Sequence, residues 1–201
     1  ITNVEELKFD LIGQLDGMDR KDNVIVVIDS IGNLASKKEM EDTMNEKSVA
    51  DMSRAKALKG LFRMATPYLA MKNIPLLAVN HTYMEIGLFP KAIVGGGTGI
   101  YYSADNIWIL GRRQNKTGTE VTGYDFIINV EKSRYVKEKS KIPVSVSWEG
   151  GIEKYSGLLD VAMAGGYVVK PNAGWYQRAG EESKVREKET LKEEFWQPIF
   201  D

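Results

Sequence analysis

Cysteine is absent from all 201 residues. That excludes a disulfide framework and a thiolate metal site, and it fits a reducing interior. Long apolar runs are absent too. None approaches the length of a membrane span and no signal-peptide pattern opens the chain, so a cytoplasmic location with no membrane partner is expected. Net charge is nearly absent, with 27 Lys and Arg against 28 Asp and Glu. Attraction to nucleic acid would have to come from a local basic patch, since the chain as a whole offers none. No Gly-x-x-x-x-Gly-Lys-Ser/Thr occurs anywhere, so these residues carry no phosphate-binding P-loop. An initiator Met is lacking as well, and Ile1 is expected to enter a fold already under way upstream. What is present is ordinary: 43% hydrophobic and 27% charged residues, enough for one full domain with a sizeable core.

The chain is organised around Asn23 to Ser30, which reads Asn-Val-Ile-Val-Val-Ile-Asp-Ser. Five consecutive β-branched apolar residues predict a central strand with helices covering both faces of its sheet. A carboxylate at the tip of such a strand is anomalous on packing grounds. Asp29 either caps the following loop or, as in nucleotide-hydrolysing α/β proteins, positions Mg²⁺ through water beside the phosphates. Upstream, Val4, Leu7, Leu11, Ile12 and Leu15 predict a helix feeding this strand. Downstream, Ile31 to Ser48 is charge-mixed without a clean period and reads as a mobile loop. A helix is expected from Val49, with Ala55, Leu58, Phe62, Ala65 and Leu69 as its apolar stripe and Thr66-Pro67 as a kink or break. Lys56, Lys59 and Arg63 fall on the opposite face, which is either a solvated face or a set of phosphate contacts.

Ile74 to Asn80 predicts a second buried strand, followed by the only histidine, His81. Thr82 to Gly99 then carries Gly87, Pro90 and Gly95-Gly96-Gly97-Thr98-Gly99. It reads as a functional loop, because a scaffold does not need a connection this long. Further strands are expected at Asn106 to Leu110, Asp125 to Val130 and Val144 to Trp148, with a basic bend of Lys132, Arg134, Lys137, Lys139 and Lys141 before the last. A helix at Tyr155 to Ala164 and a small hairpin at Tyr167 to Trp175 follow. Arg178 to Glu194 is dense in charge and expected to be exposed or partly disordered. Two apolar strands ending in Asp29-Ser30 and Asn80-His81 would set four polar groups side by side at the carboxyl edge of one sheet, where open α/β sheets bind ligands.

In order along the chain come Val-Ile-Val-Val-Ile-Asp-Ser, a charged loop, a basic helix, Leu-Leu-Ala-Val-Asn-His, a loop closing in Gly-Gly-Gly-Thr-Gly, then Gly-Arg-Arg and Val-Glu-Lys-Ser-Arg. This succession resembles the core of RecA-type recombinases, most of all those of T4-like phages. The resemblance covers Val4 to Tyr176 and implies an α/β fold. That fold is a RecA-like P-loop NTPase core with a central, mostly parallel sheet flanked by helices, its P-loop portion missing from this chain. It implies a core over 1–176 and a charged extension over 177–201. It also implies a DNA-dependent ATPase using ATP and Mg²⁺, this fragment alone being inactive. Such a protein coats single-stranded DNA as a head-to-tail helical filament and exchanges strands with double-stranded DNA. Mediator and single-strand-binding proteins are its expected partners, in the host cytoplasm if phage-encoded.

Position by position, Asp29 resembles the acid that holds Mg²⁺ through water, with Ser30 beside it. Asn80 and His81 occupy the strand end where bacterial RecA has an Asn-Gln pair that senses the γ-phosphate, so His81 replaces Gln. Trp148 aligns with an aromatic near adenine, or is a core residue. Lys132 and Arg134 resemble two cations that reach the neighbouring subunit's ATP, where they would stabilise charge growing on the γ-phosphoryl group. Ile31 to Ser48 is similar to the family's first DNA-binding loop and Thr82 to Gly97 to the second. In the second, Ile86 and Gly87 match an Ile-Gly pair whose Ile wedges between bases. Gly95, Gly96 and Gly97 would let backbone amides approach phosphates without a Cβ clash. Tyr83 and Glu85 stand where bacterial RecA has basic residues, shifting phosphate attraction to Lys56, Lys59, Arg63 and Lys91. Arg112 and Arg113 match a basic pair assigned to the second DNA strand. Two rival readings stand beside this one: a RecA-like ATPase acting on protein partners, and a non-catalytic paralogue that pairs with an active recombinase.

Overall fold

Asn3 starts the first helix, its side-chain oxygen accepting the Glu6 amide at 2.8 Å. Helix α1, Val4–Gly17, then buries Val4, Leu7, Leu11 and Leu15, the helical spacing read from the sequence. Its C-terminal carbonyls find a cation. Lys72 Nζ donates to the carbonyls of Leu15, Asp16 and Met18 at 2.6, 2.8 and 2.6 Å, satisfying groups that a helix end leaves without partners. The computed structural model describes residues 1–46 and 52–201, which form two units, Ile1–Asp105 and Asn106–Asp201.

In the first unit, strand β1 (Val26–Ile28) leads through a 3-10 turn (Ile31–Asn33) to helix α2 (Lys37–Met44) and the long helix α3 (Ser53–Lys72). Strand β2 (Leu76–Ala78) pairs with β1 in parallel, Val26 opposite Leu76 and Ile28 opposite Ala78. Strands β3 (Thr82–Met84) and β4 (Ala92–Val94) form an antiparallel hairpin, and helix α4 (Thr98–Ser103) closes the unit. The core joins Leu7, Leu11 and Leu15 of α1 to Leu58, Leu61, Phe62 and Ala65 of α3, with Val26, Ile28, Leu76 and Ala78 packed against them.

Three expectations need correction here. The expected mobile loop after Ser30 is largely ordered. Ser36 and Glu39 form a reciprocal capping box that nucleates α2, and the signal Ser36-Lys37-Lys38-Glu39 stood in the sequence. The expected break at Thr66-Pro67 is absent, because α3 continues to Lys72. Arg63 and Pro67 both lie on its exposed side, so water can take the carbonyl that Pro67 leaves without a donor, while Leu61, Phe62, Ala65 and Leu69 anchor the helix from both sides of the proline. The expected start at Val49 lies outside the described residues. Finally, helices do not cover both faces of the β1–β2 pair in this unit, since Ile25, Val27, Leu77 and Val79 are exposed.

The second unit opens with a four-stranded antiparallel sheet: β5 (Asn106–Thr117), β6 (Glu120–Ser133), β7 (Lys141–Ser147) and β8 (Gly151–Ile152). Among the described residues, β1–β2 is the one parallel pair of strands, beside an isolated parallel bridge between Asn3 and Ala35, and a mostly parallel central sheet is not what the strands build. Connection length explains this. β5 and β6 are joined through Gly118, at φ 63°, by a turn far too short for a parallel crossover.

Helix α5 (Leu158–Ala164) is followed by the antiparallel sheet of β9 (Val168–Asn172), β10 (Trp175–Arg178) and β11 (Lys184–Arg186), then a 3-10 turn (Glu187–Leu191) and helix α6 (Glu193–Phe200). A boundary at 176/177 would cut β10 in two. Residues 177–201 are not an appended charged tail, because Phe195 and Trp196 of α6 are buried with Ala162, Val168 and Tyr176 in one core.

Candidate nucleotide and DNA interface

The strand ends at issue are neighbours. Asp29 follows the last residue of β1 and is exposed, and Ser30 beside it is half-buried. The ladder continues past the strands, with the Val79 amide donating to Ile28 O at 2.9 Å and the Ile31 amide to Val79 O at 3.0 Å. Asn80 and His81 thus leave β2 next to the point where Asp29 and Ser30 leave β1, as the parallel pairing requires.

Asn80 and His81 are then fixed by a compact set of hydrogen bonds. The His81 amide donates to Asn80 Oδ1 at 2.9 Å and Asn80 Nδ2 donates to Gly95 O at 2.7 Å. The Gly95 amide returns a bond to His81 O at 2.9 Å. Together these clamp the root of the β3–β4 hairpin. The His81 ring reaches the other way, its Nε2 lying 2.9 Å from Asn33 Oδ1 in the 3-10 turn after β1. That turn is in turn held by Arg54, whose Nε donates to Leu34 O at 2.7 Å and whose Nη2 donates to Ile31 O and Gly32 O, both at 2.9 Å. Sequence reading missed Asn33 and Arg54, because a side chain that bonds a group twenty or more positions away leaves no local pattern.

The hairpin ends in an exposed apolar tip. Ile86 is fully exposed, Leu88 and Phe89 are 95% and 87% exposed, and Gly87 has open space around it. Leu88 and Phe89 therefore join Ile86 as candidates for contact with bases, and their adjacency to Ile86 was the signal available. Lys91, at the start of the return strand, is exposed.

The glycine cluster lies against α3. A Cβ on Gly97 would sit 3.1 Å from Ala55 Cβ, and one on Gly99 would sit 2.7 Å from Lys59 Cβ. At Gly96, which has φ 91°, a Cβ would come 2.5 Å from Ile100 Cδ1 and 2.8 Å from Leu58 Cδ1. Close packing and left-handed backbone thus require glycine at Gly96 and Gly97 whether or not phosphate approaches. The same packing brings the glycine segment beside the basic stripe of α3, where Lys56, Lys59 and Arg63 are exposed.

The remaining expected residues lie in the second unit. Arg112 and Arg113 alternate across β5 and take partners on opposite faces of the sheet. The Arg112 guanidinium lies 4.7 Å from the centre of the Tyr124 ring, whereas Arg113 Nη2 pairs with Asp125 Oδ2 at 2.9 Å. They do not form one basic patch. Lys132 is half-buried near the end of β6, and Arg134 is exposed just after it. Trp148 is 62% exposed, donates Nε1 to Val121 O at 2.9 Å and packs edge-on against Tyr124, so it is not a core residue.

The Arg113 pairing holds the Asp125 carboxyl below its ordinary value near 3.8, aided by bonds from Asn115 and Ser145 and opposed by partial burial. A depressed folded value makes the charged form stabilising, so this contribution is complete above the ordinary aspartate range and is lost as pH falls through the lowered value. Asp125→Asn should therefore flatten the acid limb of stability against pH, measured by thermal melts. An acid limb of unchanged steepness would overturn this account of Asp125.

Comparison with known proteins supports the motif resemblance along the whole chain. Residues 155–201 match the family described as Bacteriophage T4, Recombination and repair protein, C-terminal domain. The full chain is 51% identical to the Recombination and repair protein of Enterobacteria phage T4, covering 54% of that protein. Over 78% of its length it is 27% identical to Protein RecA of Syntrophus aciditrophicus strain SB, covering 46% of that protein. It is also 28% identical over 76% of its length to the Mitochondrial DNA repair protein recA homolog of Dictyostelium discoideum, of which it covers 34%. The chain thus spans about half, or less, of the length of these relatives.

Proposed function

We propose that this chain, a relative of the T4 recombination and repair protein and of RecA, forms part of the RecA-like NTPase core of a recombinase. In that reading the complete gene product uses ATP and Mg²⁺ to coat single-stranded DNA as a head-to-tail filament and to exchange strands with a duplex. The observation that carries the reading is the adjacency of the Asp29 and His81 strand ends, with His81 tied to the root of an apolar-tipped hairpin. A nucleotide bound at that edge would touch the group that roots the hairpin, so nucleotide state would reach the DNA-contacting tip.

Asp29 fits the role assigned to it. It is a single exposed carboxylate at a strand tip, and no group of three or more His, Cys, Asp or Glu among the described residues could cage a metal alone. Mg²⁺ held there would take its other ligands from nucleotide phosphates and water, the usual arrangement for an ion that dehydrates reluctantly. The exposed cations of α3 and Lys91 would meet the backbone, while Ile86, Leu88 and Phe89 would insert between bases or stack on them. No helix among the described residues is long and apolar enough to cross a membrane.

The test uses the complete gene product. ATP hydrolysis should rise on addition of single-stranded DNA, and DNA affinity should fall steeply as salt rises, as expected when Lys and Arg displace counterions from phosphates. Hydrolysis indifferent to single strands would favour an ATPase acting on protein partners. DNA binding without any hydrolysis would favour a non-catalytic paralogue.

A further inference from the structure

The His81 ring is engaged within the protein itself, and what engages it bears on how nucleotide would be sensed. The amide oxygen of Asn33 can only accept, so the 2.9 Å contact is a hydrogen bond in the form of the ring that carries a hydrogen on Nε2. In the neutral ring that N–H is the sole donor, and phosphate oxygens are acceptors only. A phosphate approaching His81 must therefore compete with Asn33 for the same hydrogen.

Asn33 is poorly placed to follow the ring. Arg54 fixes the carbonyls of Ile31, Gly32 and Leu34 around it, Ile31 is buried and its amide is bonded to β2. Ser36, fully buried, ties the start of α2 to Ser53 of α3 through a 2.5 Å hydroxyl pair. The imidazole also lies directly against Gly32, where any Cβ would run into the ring. The Asn33 and His81 side chains are both exposed, so the contact between them can open while the backbone of the turn stays fixed.

We propose that Asn33, held in place by Arg54, is a latch that competes with nucleotide phosphate for the His81 Nε2–H and so sets how much ATP is needed to reorganise the β3–β4 hairpin. The proposal rests on the reading of His81 as a phosphate sensor. The path onward is already bonded, since His81 and Asn80 hold Gly95 at the hairpin root on both its amide and its carbonyl. A ligand shifts such an equilibrium only by its differential affinity for the two arrangements, so strengthening or weakening the latch must move the nucleotide requirement in opposite directions.

The experiment measures, in the complete gene product, the ATP concentration for half-maximal binding of single-stranded DNA. Asn33→Ala should lower it by roughly fivefold, the worth of a typical net hydrogen bond. Asn33→Asp, whose carboxylate accepts more strongly, should raise it by a comparable factor. DNA affinity at saturating ATP and kcat should be unchanged in both, which a merely structural role for Asn33 would not predict. A midpoint that stays put or rises in Asn33→Ala, while the unsubstituted protein remains ATP-dependent, overturns the latch alone. Binding that needs no ATP in the unsubstituted protein overturns the sensor reading and the latch with it.

Discussion

On the recombinase reading proposed above, replacing both Lys132 and Arg134 with alanine in the complete gene product should reduce DNA-stimulated ATP hydrolysis by about a thousandfold or more, the range seen when a transition-state cation is removed from a phosphoryl-transfer site. Charge accumulates on the γ-phosphoryl oxygens as the bond to the leaving group breaks, and cations already in position stabilise it without further reorganisation. If those cations come from a neighbouring subunit, hydrolysis depends on assembly, which suits a filament whose turnover is tied to DNA. Complementation separates donation in trans from an effect within one subunit. The double variant keeps Asp29 but lacks the cations, and Asp29→Asn keeps the cations but lacks the acid. Mixed in one head-to-tail filament, roughly a quarter of the interfaces formed by random heterologous contact would carry both intact halves. Hydrolysis should therefore return in the mixture to about that fraction. A mixture as inactive as its two components would refute action in trans, and undiminished turnover in the double variant would refute any role for the pair. Because Lys132 is only half-buried and Arg134 is exposed, the thermal midpoint should stay close to that of the parent.

Most of the first unit was legible because its signals are local and periodic. The apolar steps from Val4 to Leu15 gave α1, the Val-Ile-Val-Val-Ile run gave β1, and Leu-Leu-Ala-Val-Asn-His gave β2 with its polar end. Parallel pairing of the two runs then followed from the helix between them. What resisted reading was everything held by a long side chain acting at a distance. Arg54 reaches back twenty or more positions to the turn after β1, and Lys72 reaches the end of α1 from 54 or more positions away. Neither leaves a motif, since Arg and Lys on a helix look alike whether they meet water or a carbonyl. The sheet of the second unit resists reading for another reason: three of its four strands show as apolar runs, but the antiparallel order is dictated by the short turn at Gly118, which carries no apolar signal. Arg112 and Arg113 show a related limit. Adjacent in sequence they look like one patch, but alternation along a strand separates them to opposite faces.

The charged C-terminal stretch is where composition misled most, and Trp196→Ala should expose how much. Lys and Glu dominate 181–194, yet the segment delivers Phe195 and Trp196 into a core with Ala162, Val168 and Tyr176. Trp196 is 1% exposed, its ring stacks between Tyr155 and Phe200 at centroid distances of 6.2 and 6.3 Å, and its Nε1 donates to Thr190 O at 2.6 Å. Truncation removes the largest side chain in this small core and leaves the Thr190 carbonyl without its donor, so the loss should be about 3–5 kcal/mol. The charges around it are consistent with this packing. Arg178 spans the 3-residue step to Glu181 and lies 5.8 Å from the centre of the Phe195 ring, and Lys192 pairs with Glu189, so the polar residues rim an apolar centre. Hydrogen exchange should show the effect concentrated in β9, β10 and α5, with α1 and α3 protected as before. If residues 177–201 were instead an independent exposed extension, Trp196→Ala would leave exchange in β9 and β10 untouched, and that outcome would remove the case for counting α6 as part of the second unit's core.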